Sequence, residues 1–236
     1  GLKFKWMATI RVDLFSRARL SDEDALRVAK KMKKAGCYSC GFALESGNKE
    51  IMKMMNKKIE VDAFYKTVYI LKEAKIISQT SVVFGYPIET KETIKETFDQ
   101  CLKAGLYPSI GFLLPLPATV MYDYAKANGF ITDEDQYLES ITERQDVCLN
   151  MTKMSDEEIM NEIKKGGRRL NKMLDVGLTE DTLVKSKGYK SQKINKKLAP
   201  PQEIRPRLDP KKIKRIKNDV SFNYSQSEFK YEDPNL

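Results

Sequence analysis

Four short groups of residues in this 236-residue chain have the types and spacing for chemistry. Cys37-Tyr38-Ser39-Cys40 has the spacing of a zinc or thiol-redox pair. The segment is strand-like, however, and an offset of three along a strand puts the two sulfurs on opposite faces. No second cysteine pair and no histidine completes a tetrahedral site. These cysteines are therefore expected to be buried strand residues, and no metal ligand is assigned. Glu45-Ser46-Gly47 closes the same segment. Ser39, Gly41, Ala43 and Glu45 alternate onto one face, so small residues lead up to a carboxylate and leave room for a ligand at the strand's mouth. A solvated loop glutamate fits the same residues. In Gly85-Tyr86-Pro87-Ile88-Glu89-Thr90, Gly85 permits close approach to the backbone. Thr90 suits a helix N-cap, where free amides attract anions or carbonyl oxygens. Glu89 either joins that site or merely favours the positive end of the helix. In Pro115-Leu116-Pro117-Ala118-Thr119 the prolines hold off helix until Thr119.

The elements that must position these groups alternate. Residues 4–11 alternate as a strand, with Phe4, Trp6, Ala8 and Ile10 on one face and Lys5, Met7, Thr9 and Arg11 on the other. A helix capped by Ser21, with Asp24 at its third position, follows and ends at Gly36. Further strands are predicted over 38–44, 80–84 and 110–114. Helices fall between and after them: one capped by Asn48, one carrying Phe64, Val68 and Leu71, one over 91–103 ending at Gly105, and one over 121–127 ending at Gly129. Strand–helix alternation implies a parallel sheet. Four units are too few for a closed eight-stranded barrel, so an open or partial barrel is expected. In such folds ligands sit at the C-terminal strand ends, which singles out Arg11, Glu45–Gly47, Gly85–Glu89 and the 115–119 loop. Residues 132–151 and 155–174 are predicted helices, the second opened by a Ser155/Glu158 capping box. Helical periodicity fades after Gly177.

Composition narrows the function classes. Histidine is absent, which removes a Ser-His-Asp triad and His-ligated zinc or haem. No apolar run approaches the roughly 20 residues needed to cross a bilayer, and no signal peptide opens the sequence. Four cysteines with no sign of secretion point to reduced thiols and a cytoplasmic location. The net charge of +9 comes from the end of the chain, where residues 185–217 hold 13 Lys or Arg against Glu203 and Asp209. That stretch suits a solvated, low-order tail better than a nucleic-acid surface, which would need basic residues interleaved with aromatics. The expected organisation is a partial barrel over 1–130, a helical extension over 131–178 and a basic tail over 179–236.

Five motifs occur in register on successive strand ends: Lys5-Trp6-Met7-Ala8-Thr9-Ile10-Arg11-Val12-Asp13, Lys34-Ala35-Gly36-Cys37, Phe42-Ala43-Leu44-Glu45-Ser46-Gly47, Phe84-Gly85-Tyr86-Pro87-Ile88-Glu89-Thr90 and Pro115-Leu116-Pro117-Ala118-Thr119. Together they resemble the later strands of radical S-adenosylmethionine enzymes, especially those with an N-terminal cobalamin-binding domain, over roughly residues 1–150. The resemblance implies an α/β fold, a partial (β/α)6 TIM-like barrel, of which this chain supplies about strands 3 to 6. It implies S-adenosylmethionine and a [4Fe–4S] cluster as cofactors, with cobalamin through a separate domain. It also implies a flavodoxin- or ferredoxin-like electron donor. In the family an electron from the cluster cleaves S-adenosylmethionine to methionine and a 5′-deoxyadenosyl radical that abstracts hydrogen from substrate. Carried over, Arg11 and Glu45 address the methionine or ribose part of the cofactor and Ser46 supports them. Gly85 lines the adenine pocket, and Glu89 fixes that loop.

The family's cluster-binding CxxxCxxC is not in this sequence; the glycine usual before Glu-Ser is shifted to Ala43, and those usual in Pro-Gly-Glu-Thr and Pro-Gly-Thr are Ile88 and Ala118. The chain is therefore expected to be the back portion of such an enzyme, to bind no cluster alone, and to work with a cluster-bearing N-terminal part. The competing expectations are a non-catalytic relative that binds a partner through the open edge near residues 3–11, or a nucleic-acid module acting through the tail.

Overall fold

A computed structural model describes residues 4–17, 20–141 and 149–184. Their elements run β1 (Trp6–Thr9), α1 (Leu14–Arg17), α2 (Asp22–Lys34), β2 (Cys37–Glu45), α3 (Lys49–Met54), α4 (Val61–Glu73), β3 (Ile77–Phe84), α5 (Lys91–Ala104), β4 (Ser109–Phe112), α6 (Val120–Ala127), α7 (Glu134–Ser140) and α8 (Asp156–Leu174). The four strands pair in chain order β1-β2-β3-β4, every pair parallel. The sheet is open, as a part of a barrel must be, and all four strands deliver their C-terminal ends to one rim. The basic tail beyond residue 184, Cys148 and the end of the expected 132–151 helix lie outside the described residues. Among the described residues of that span 134–140 is helical, and residues 149–155 are neither helix nor strand.

The caps act as their residue types dictate. Ser21, Asn48, Thr90, Thr119 and Ser155 each accept amides of the first turn, and Thr90/Thr93 and Ser155/Glu158 close reciprocal capping boxes. Gly36, Gly105 and Gly129 leave their helices at positive φ. The strand ends differ from expectation by up to three residues. The short α1 has no apolar period to announce it. It is held from outside, by Phe15 in the core and the Thr67 hydroxyl donating to the Val12 carbonyl at 2.6 Å.

One face of the sheet is dry. Cys40, Phe42 and Leu44 of β2, Val82 and Phe84 of β3, and Ile110 and Phe112 of β4 pack beneath α2, α4, α5 and α8 in one cluster. The alternate residues, Gly41, Ala43, Gln79, Ser81, Val83 and Gly111, are half-buried, and all but Val83 are small or polar. A second cluster around Tyr122, Ile131 and Tyr137 packs on Val83 and Tyr86 at the rim end of this other face. Helix α8 returns to α5, where Gly166 lies against the Phe98 ring so closely that a Cβ would sit 2.2 Å from it. Two glycines in mid-helix weaken a helix by about 1 kcal/mol each; here the first admits the neighbouring aromatic.

The cysteine pair corrects the sequence expectation. Cys37 and Cys40 do not point to opposite faces: their sulfurs are 3.8 Å apart and both are fully buried. The cause is a break in register. Cys37 pairs with Trp6 and Cys40 with Ala8, so three steps along β2 match two along β1. The extra residue of this bulge restores both side chains to one face. Burial, with Cys37 alongside, pushes the Cys40 thiol up to about 12, which keeps it protonated and inert.

Candidate functional site

The rim is built where each strand hands over to its loop. After β1, Arg11 makes two hydrogen bonds to Asp13, Nε to Oδ1 at 2.9 Å and Nη2 to Oδ2 at 3.1 Å, and Asp13 is buried. After β2, Glu45 takes a positive φ of 68° beyond a second break in register, between Ala43 and Glu45. A non-glycine residue there is uncommon and marks a strand end bent for a purpose. The Glu45 carboxylate receives Lys57 Nζ at 2.7 Å. Arg11 and Glu45 are thus not partners to each other, as their neighbouring strand ends suggest, because each has a nearer opposite charge. Asp13 is only two residues from Arg11. Lys57 returns through the turn at Asn56, whose φ is 52°.

Ser46 and Gly47 face the other way. The Ser46 hydroxyl, fully buried, hydrogen-bonds Thr97 Oγ1 at 3.3 Å and accepts the Asn48 amide at 3.1 Å. The Gly47 amide donates to the same Thr97 oxygen at 2.9 Å, and a Cβ at Gly47 would lie 2.7 Å from the Thr97 Cα. These two residues clamp the loop onto α5, so Ser46 acts on the rim by holding Glu45's backbone and not by reaching a ligand.

After β3, Gly85 leaves the strand at a φ of 103°. Glu89 turns back under it: Oε2 accepts the Gly85 amide at 3.2 Å and Oε1 the Thr93 hydroxyl at 2.6 Å. Burial pushes its carboxyl up to about 7 despite those bonds. Tyr86, above the same loop, is held up to about 12 by burial and by the charges of Glu45 and Glu89. Glu89 therefore fixes the loop from within. Ile88 is exposed and needs no positive φ, so its usual glycine is dispensable here. The same is not true after β4: Ala118 stands at a φ of 64°, a glycine conformation held by an alanine. Lys57, Thr97, Thr93 and Ala118 were not legible as site residues; only the Ala118 position had a signal, in the Pro-Ala-Thr spacing.

The donor set distinguishes two cofactors. Cys37, Cys40 and Cys101 are buried in the helix-side core, and no group of three metal-ligating side chains occurs among the described residues. They do not fit a [4Fe–4S] cluster. The rim does fit a polar adenosyl ligand. It presents the Glu45 carboxylate, the positive-φ Gly85 and the half-buried Tyr86 phenol, and a Cβ at Gly41 would meet nothing nearer than the Ala8 carbonyl at 4.0 Å.

An open parallel α/β sheet whose strands bring their C-terminal ends to one polar rim is the architecture of a partial barrel. The sequence profile of the Radical SAM superfamily matches residues 7–101, the stretch that carries β1 to α5. An uncharacterized methyltransferase of Pyrococcus horikoshii is 29% identical over 132 residues, 56% of this chain and 27% of the relative. A bacteriochlorophyllide d C-12(1)-methyltransferase of Chlorobaculum tepidum is 25% identical over 138 residues, 58% of this chain and 28% of the relative. The chain thus spans little more than a quarter of these relatives' length. Among solved structures, the radical SAM enzyme coproporphyrinogen III oxidase of Escherichia coli superposes with a TM-score of 0.49 at 13% identity, covering 72% of this chain and 32% of that one. Over residues 7–101 this chain is thus similar to the radical SAM superfamily. No helix among the described residues is long and apolar enough to cross a membrane.

Proposed function

We propose that this chain forms the cofactor-receiving rim of a radical S-adenosylmethionine enzyme that transfers a methyl group, working with a cluster-bearing segment outside this sequence. One observation carries the reading: β2, β3 and the β4 loop leave the same rim through positive-φ residues, Glu45, Gly85 and Ala118, which bend three successive loops at one edge. Glu45 receives a polar group of the cofactor's methionine or ribose portion, with Arg11 on the neighbouring strand end adding positive charge. The Gly85 loop, braced by Glu89, lies along the adenine. When bound to a reduced cluster, S-adenosylmethionine supplies the radical or methyl chemistry. The relatives' names favour methyl transfer, and a cobalamin-binding domain and a flavodoxin- or ferredoxin-like donor complete the proposed system. The test is the affinity of S-adenosylmethionine for Glu45→Gln and Glu45→Ala, with thermal stability measured in parallel. The reading expects about 10- to 100-fold weaker binding with little change in stability. Unchanged affinity in both variants returns Glu45 to the surface and removes the reading.

A further inference from the structure

The Glu45–Lys57 pair is the part of the rim that the proposed function leaves unused. We propose that Lys57 is a displaceable internal cation: it occupies the Glu45 carboxylate until a cationic group of the ligand, the amino or sulfonium group of S-adenosylmethionine, replaces it. Glu45 would thereby favour cationic adenosyl ligands over neutral ones, and Lys57 would temper that preference. This rests on the reading that Glu45 faces the cofactor.

The two partners are held unequally. Glu45 is fixed by its backbone, at the end of a bulged strand in a left-handed conformation and followed by the Ser46–Thr97 clamp. Its side chain is 18% exposed. Lys57 sits beyond the turn at Asn56, with only its amide tied back, to the Met52 carbonyl at 2.9 Å. Its side chain is 41% exposed and reaches Glu45 along a flexible four-carbon stem. The ammonium can return to water while the carboxylate stays in place, and a pair this accessible is weak. Arg11, the other cation of the rim, differs in kind. Its side chain is 58% exposed, but two parallel bonds to the buried Asp13 hold its planar fork, where Lys57 has one. The rim therefore has one bound cation and one that can leave.

The experiment measures equilibrium binding of two probes to the full chain at low ionic strength. S-adenosylmethionine is cationic at sulfur and nitrogen; 5′-methylthioadenosine keeps the adenine and ribose but has neither charge. The proteins are the wild type, Lys57→Gln, Lys57→Ala, Lys57→Arg, Glu45→Gln and the Glu45→Gln/Lys57→Gln double variant, each checked by thermal melting. Neutralising Lys57 should tighten S-adenosylmethionine about two- to fivefold, leave 5′-methylthioadenosine unchanged, and give no gain in the Glu45→Gln background. Lys57→Arg should bind as the wild type does. Binding by Lys57→Gln where the wild type binds nothing supports the proposal in its strongest form. Equal or weaker binding on neutralising Lys57, or an equal gain for the neutral probe, overturns it. If the wild type binds and Glu45→Gln binds more weakly, that failure leaves the cofactor rim standing. If no variant binds S-adenosylmethionine, both fall.

Discussion

The two sides of this sheet solve different problems with the same residue types. On the helix side, glycines are spaces: Gly47 admits α5 and Gly166 admits Phe98, and the Ser46 and Thr97 hydroxyls are spent on each other and on nearby backbone. On the rim, positive φ is a direction: Glu45, Gly85 and Ala118 aim loops, and two of the three are not glycine. Cysteines follow the same division, with Cys37, Cys40 and Cys101 buried under the helices and none described at the rim. The difference is one of use: positive φ turns the strand ends at the rim, whereas close approach seats the helices on the scaffold.

The sharpest way to break this comparison is to fill a space on the scaffold. Gly166→Val drives a branched side chain into the Phe98 ring and should cost about 3 kcal/mol or more in urea unfolding. A loss below about 1 kcal/mol would mean that α8 is not seated on α5. The next largest effect is a pH dependence from Glu89. Burial raises its folded carboxyl from 4.5 to about 7, so the folded state holds this proton more tightly than the unfolded chain does. Its stabilising contribution is complete below about pH 4.5 and is lost as pH rises through about 7. Between pH 5 and 8 the wild type should lose roughly 2–3 kcal/mol relative to Glu89→Gln; parallel pH profiles would place Glu89 in water. The smallest effect is on the rim itself. Ala118→Gly relieves a left-handed alanine and should stabilise the chain by about 0.5–1 kcal/mol, read from the urea midpoint. Destabilisation would show that the loop after β4 does not hold that conformation.

The scaffold was largely legible in the sequence because its signals are local. Ser21, Asn48, Thr90, Thr119 and Ser155 announce helices by chemistry that acts within three residues, and strand alternation fixes which face is dry. What escaped is what depends on register. Cys37 and Cys40 were placed on opposite faces by a period of two that a bulge interrupts, and no composition signals that bulge. Rim partners escaped for a related reason. Arg11 and Glu45 end adjacent strands, yet each meets a charge brought by its own loop, Asp13 and Lys57. The rim's location was readable from the strand ends, but its wiring depends on how the loops fold back. Of the expected 132–151 helix, the described residues carry 134–140 as helix and leave 149–151 out of it.

The central claim is that an adenosyl ligand sits on the rim and not on the scaffold. Amide chemical-shift mapping of the isotope-labelled chain, titrated with S-adenosylmethionine, tests it residue by residue. The account predicts saturable shifts at Glu45, Ser46, Gly85, Tyr86 and Glu89, with Phe98, Cys101 and Gly166 unmoved. Saturable shifts confined to α5 and α8, or none at any concentration, would contradict it.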